Sequence, residues 1–147
     1  MRRYLFVLPF VLACARADET PADSAAAAMP PALTEADVAG TWTGTLMAEG
    51  SDSVVANWTQ VCAAGTCRLT TQESPRDTVT STYTIQGDSV VATTAAYAAP
   101  EAKGAMVTDH WVARLSGGQV TGTGMFRLAD RPDSVVMRYR FTGMRNP

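Results

Sequence analysis

Apolar and polar residues alternate with a period of two along most of the chain after residue 40. Trp42, Gly44 and Leu46 alternate with Thr41, Thr43 and Thr45, and Val54, Ala56 and Trp58 with Ser53, Asn57 and Thr59. The pattern continues through Val79, Tyr83 and Ile85; through Val107, Trp111 and Leu115; through Val120, Gly122, Gly124, Phe126 and Leu128; and through Val135, Met137, Tyr139 and Phe141. Period two marks strands with one buried face. With residues 67–72 and 89–94, the sequence predicts about eight strands whose outer faces are rich in threonine. Helix is expected only at Thr34-Glu35-Ala36-Asp37, a capping-box-like start with Gly40 as its stop.

A short repeat orders these strands. Asp52-Ser53-Val54-Val55, Asp88-Ser89-Val90-Val91 and Asp133-Ser134-Val135-Val136 each follow a turn signal, so the aspartate ends a turn and the valines begin the return strand. The chain therefore reads as an antiparallel up-and-down meander. The one long connection, residues 95–105, is alanine-rich with Pro100 and Gly104, and is placed to flank an opening. An exposed edge strand invites pairing with other chains, and closing the meander into a barrel removes the edges. A β-sandwich is the alternative.

The first residues carry a different pattern: Met1-Arg2-Arg3, the apolar run 4–12, then Ala13-Cys14. Basic residues before a short apolar run and a small residue make a secretory signal. The run is too short to cross a bilayer, which takes about twenty residues. Val11-Leu12-Ala13-Cys14 resembles the lipobox of bacterial lipoproteins, in which the cysteine is lipidated and becomes the first mature residue. The resemblance implies a signal peptide over 1–13, attachment to the bilayer through acylated Cys14, and a place in the cell envelope. Ala15, where an aspartate would retain such a protein in the inner membrane, favours the outer membrane, facing the periplasm or the surface. Residues 14–33, rich in alanine, proline and acid, have no apolar face to bury, and are expected to be a disordered tether of on the order of 25 Å reach. The folded domain is expected over 34–147.

With Cys14 acylated, Cys62 and Cys67 remain as a pair, and the compartment oxidises thiols. Their spacing suits a hairpin closed by a loop over 63–66, in which Gly65 is free to take positive φ. A metal site would need more ligands than these two and His110, the only histidine. No metal or other cofactor is expected.

Within the meander, Gly40-Thr41-Trp42 resembles the Gly-x-Trp signature of the lipocalins, and Thr108-Asp109-His110 is similar to that family's Thr-Asp-Tyr motif. The resemblance implies an eight-stranded barrel with Trp42 plugging one end beneath a late arginine, Arg138 or Arg140. It also implies non-catalytic binding of a small apolar or amphipathic molecule inside. Inward parity sends Trp42, Trp58, Tyr83, Trp111, Phe126, Tyr139 and Phe141 to the interior. Asp109 shares the parity of Val107 and Trp111, and a buried carboxylate must be paired or lie at the rim. Trp58, Tyr83, Asp109, Trp111 and Tyr139 are therefore the candidate ligand-binding residues.

An eight-stranded barrel is just wide enough to be filled by its own side chains or to hold one small ligand. A filled barrel would make the protein an envelope interaction module whose outer wall docks a protein or the cell surface. Inhibition of lysozyme, as by some small lipoprotein barrels, is a third possibility. Without its signal, and so without Arg2 and Arg3, the chain has ten basic and fourteen acidic side chains, a net charge of −4. Arg114, Arg138 and Arg140 share the outward parity and offer a basic patch. No nucleophile elbow, metal cluster or phosphate loop is visible, so no enzyme activity is expected, and the compartment argues against nucleic acid.

Overall fold

The structure, a computed structural model, describes residues 32–74 and 77–147. The expected signal segment 1–13, Cys14 and the expected tether as far as residue 31 lie outside the described residues. A four-residue helix, α1 (Glu35–Val38), precedes the strands β1 (Gly40–Ala48), β2 (Val54–Ala63), β3 (Thr66–Thr71), β4 (Val79–Gln86) and β5 (Ser89–Thr94). Then come β6 (Tyr97–Ala99), a single 3-10 turn, β7 (Ala105–Ser116), β8 (Gln119–Leu128) and β9 (Val135–Arg145).

Each long strand pairs antiparallel with the next, β5 pairs with β7, and β9 returns to β1, so eight strands close into a barrel. The sandwich alternative is excluded, because an unbroken ladder of pairs runs around the ring. The ninth strand, β6, was not expected. It lies outside the ring, where the 95–105 connection pairs with the first residues of β7.

Turn chemistry sets the register at the Cys62–Cys67 hairpin. Ala64 and Gly65 both have positive φ, 48° and 76°, as a two-residue type I′ turn requires. The loop is thus two residues rather than the four expected, because Ala63 and Thr66 remain paired. Cys62 then stands directly opposite Cys67, and the two form the expected disulfide.

One end of the barrel is closed. Across it lies α1, too short to be stable alone. The Thr34 N–H donates to the Asp37 carboxylate at 2.8 Å to start it, and side chains from the barrel hold it in place. Leu33, which the sequence left in the tether, packs against the core and donates its N–H to the Gly87 carbonyl at 3.1 Å, so the folded unit includes it. Beneath α1, Trp42 is 5% exposed and donates its indole N–H to the Val38 carbonyl at 2.9 Å.

The late arginine over Trp42 is Arg145, whose Cζ lies 5.8 Å from the ring centroid. Arg138 and Arg140, expected in that role, point away from the interior. The inward parity of β9 runs through Tyr139, Phe141 and Gly143 to Arg145, and the register sets Arg145 opposite Trp42. Arg140 instead pairs with Asp52. The Arg145 guanidinium also donates to the carbonyls of Ala39 and, at 3.2 Å, Ala36, tying the last strand to the helix.

Candidate ligand-binding site

The opposite end of the barrel is open. Rings from three strands form a floor across the middle. Phe141 of β9 meets Trp58 of β2 edge-on, with centroids 6.1 Å apart, and Trp111 of β7 likewise at 6.0 Å. Such T-shaped contacts suit the aromatic quadrupole. Below the floor lies a small apolar pocket bounded by Val38, Trp42 and Cys62. Above it, a larger, mainly apolar cavity of about 70 Å³ opens to solvent.

Tyr139 and Asp109 dominate the polar chemistry of the upper cavity. Asp109 is only 9% exposed, and the Tyr139 hydroxyl donates to it, with Oδ1 at 2.8 Å and Oδ2 at 2.7 Å. The position of Asp109 follows from the break between β5 and β6. The ladder from β5 ends where Thr93 faces His110, and β6 resumes at Val107, so the Asp109 N–H finds no strand carbonyl there. The Thr94 hydroxyl accepts it instead, at 2.8 Å.

The rings on β9 are aimed by glycine. Gly124 and Gly122 of β8 stand opposite Tyr139 and Phe141. An added Cβ at either position would fall 2.3 Å from the facing side chain, so each ring packs against bare backbone. Phe126 extends this wall, 4.9 Å from the Tyr139 ring, and Tyr97 of β6 closes on Phe126 edge-on at 6.5 Å.

Of the five candidates, Trp58, Asp109, Trp111 and Tyr139 line the upper cavity together. Tyr83 does not. Its hydroxyl reaches the closed end and donates to the Glu35 carboxylate, which also accepts the Gly65 N–H at 3.2 Å. Tyr83 therefore clamps α1 to the disulfide hairpin. Parity places a side chain inside a barrel but not at one end of it. The sequence reading did not assign Tyr97, Asp77, Ser74 or Gln60 to the site, and all four line the cavity. The expectation that 95–105 flanks an opening was the available signal for Tyr97.

Burial and the bond to Glu35 push the Tyr83 hydroxyl from its ordinary 10 up to about 12. A pKa raised in the folded state means stability that is fully present below pH 10 and lost as pH rises toward 12. The stability gap between the wild type and Tyr83→Phe should accordingly shrink over that interval, as read by urea denaturation at stepped pH. A gap that stays flat would show that the Glu35 contact does not act through the hydroxyl proton.

Trp58 adds one more polar feature. It is 6% exposed, and its indole N–H has no hydrogen-bond partner among the described residues. Buried donors are nearly always paired, so this one calls for an acceptor from outside the chain's own described groups.

The chain matches no family model, no curated protein and no solved structure. On the outer wall, Arg114 lies 3.7 Å from Asp88 and Arg140 pairs with Asp52, so two of the three arginines of the expected basic patch face carboxylates.

Proposed function

We propose that this protein is an exported, lipid-anchored binding protein that holds a small amphipathic molecule in the open half of its barrel, without catalysis. The observation that carries this reading is the upper cavity. It has the make-up of small-molecule sites, an apolar and aromatic lining with a few convergent polar groups. The buried N–H of Trp58 supports it. The open cavity favours binding over the filled-barrel docking module, and so does the pairing of Arg114 and Arg140.

Filling the cavity tests the reading. Ala56 is 1% exposed and lines the space above Trp58. Ala56→Phe should weaken binding of the neutral probe N-phenyl-1-naphthylamine at least tenfold, followed by energy transfer from tryptophan. Its thermal midpoint should stay close to that of the wild type. Saturable binding that is indifferent to the substitution would place the ligand elsewhere, and no saturable binding of the probe or of other amphiphiles would remove the reading.

The anchoring half of the proposal rests on the lipobox-like Val11-Leu12-Ala13-Cys14. Several acyl chains on one cysteine suffice for stable attachment, where one would not. Cys14→Ser should move the protein from the membrane pellet to the soluble fraction after a high-salt wash. A variant that still sediments with membranes would end the lipoprotein reading and leave the cavity untouched.

A further inference from the structure

Resting on the binding reading above, we infer that the occupant of the barrel carries a neutral carbonyl oxygen on an apolar body, as in a ketone, ester or amide, and that this oxygen accepts a hydrogen bond from the indole N–H of Trp58. Trp58 stands in the aromatic floor, and its side chain borders both the upper cavity and the small apolar pocket beneath. The residue is 6% exposed, and its N–H is closed to bulk water and has no partner among the described residues. The chain treats another indole of the same depth differently: Trp42, 5% exposed, donates to the Val38 carbonyl at 2.9 Å. Trp58 is also fixed in place. Its six-membered ring packs against the bare backbone of Gly44 and Gly143, where an added Cβ would come within 2.5 and 2.6 Å of it, so a swing toward a carbonyl of the chain would lift the ring off the seam. The acceptor must therefore come in with the guest, which reaches the N–H by tilting Phe141, a part-buried ring that meets Trp58 edge-on.

The floor selects for an acceptor that is not also a donor. Two of its three rings, Trp58 and Trp111, are indoles, which have an N–H to give and no lone pair to receive with, and the third, Phe141, has neither. A hydroxyl would bring a proton that these rings cannot take. A carboxylate would carry its charge down to Val38, Val90, Leu115 and Val120 of the lower pocket, and an unpaired charge costs far more in such a setting than a neutral dipole does. A hydrocarbon would fill the same space and leave the N–H orphaned. The bond it fails to make is worth about tenfold or more in affinity. Because a ketone and a hydrocarbon also differ in their solubility in water, that factor is read by removing the N–H rather than by comparing the two compounds on one protein.

Acetophenone, 1-phenylethanol and isopropylbenzene share one shape and differ in the group beside the ring, and nitrogen–proton correlation spectra of the full chain carrying Cys14→Ser distinguish them. Three tryptophans give three indole N–H signals, and Trp58→Phe identifies the one that belongs to Trp58. Acetophenone should move that signal downfield, as a hydrogen bond does, and further than it moves the other two indoles. The alcohol should move it less, and isopropylbenzene should disturb the floor without a downfield shift. Trp58→Phe should weaken acetophenone about tenfold more than it weakens isopropylbenzene. Should that variant fail to fold, Trp42→Phe and Trp111→Phe identify the Trp58 signal by elimination, and the three compounds on the otherwise unaltered chain decide. If the hydrocarbon or the alcohol moves the Trp58 signal as far as the ketone does, the carbonyl assignment is overturned and the binding reading survives. The same holds if the signal lies downfield without any ligand and stays there, because a resident water then satisfies the N–H. If none of the three compounds shifts any signal saturably, and N-phenyl-1-naphthylamine does not saturate either, the binding reading falls and the carbonyl assignment with it.

Discussion

Trp42→Ala is expected to cost about 3 to 5 kcal/mol, the range of large aromatic truncations in cores. Against total stabilities of roughly 5 to 15 kcal/mol, that brings the domain near its unfolding limit. The loss should be large because Trp42 supports three things at once. It fills the closed end, its N–H satisfies the Val38 carbonyl, and its ring faces the Arg145 guanidinium. Arg145 itself holds the helix through Ala36 and Ala39. A double-mutant cycle by urea denaturation should find Trp42 and Arg145 coupled by about 0.5 to 1 kcal/mol, the value of an exposed cation-π pair. Trp42 with Arg138 should be additive. Additive losses with Arg145 as well would mean that the two share an end of the barrel without acting on each other.

Gly44→Ala should be nearly as damaging, at or above the roughly 3 kcal/mol that usually bounds overpacking. Gly44 and Gly143 face each other across the seam where β9 meets β1. A Cβ on Gly44 would lie 2.0 Å from the Thr142 carbonyl oxygen and 2.5 Å from the Trp58 ring. The first of these is backbone and cannot swing aside, so the seam itself must part. Gly124→Ala offers a contrast, since its nearest neighbours are all atoms of the Tyr139 side chain. It should cost less stability and act instead on the cavity, by pushing Tyr139 off Asp109. Hydrogen exchange should show the amides of β1 and β9 losing protection in Gly44→Ala alone. Native-like protection at the seam in that variant would contradict the packing described.

Alternation alone revealed eight strands, their order and most of the interior, because every strand of this barrel has one wet and one dry face. It also placed Asp109 inside, among the aromatic rings that surround it. The strand β6 was hidden because Tyr97-Ala98-Ala99 is too short for a period and ends at a proline. Arg145 was legible by parity, two steps beyond Phe141 and Gly143, and was missed in favour of arginines on the wrong face. The roles of Gly122 and Gly124 were not legible. Their inward parity was plain, but which rings cover them depends on the register between β8 and β9, which no local pattern encodes. Asp77 and Ser74 reach the cavity from a connection rather than a strand, and alternation is silent there.

The chain enters the barrel at the plugged end, through Leu33 and α1, and the cavity opens at the other. An acyl anchor upstream of Leu33 would hang the domain like a cup with its base toward the bilayer and its lip toward the aqueous phase. If the cavity binds a ligand, that arrangement would favour exchange with the aqueous phase over exchange with the leaflet that holds the anchor. Lengthening the tether would widen the volume the cup sweeps without changing what it can pick up.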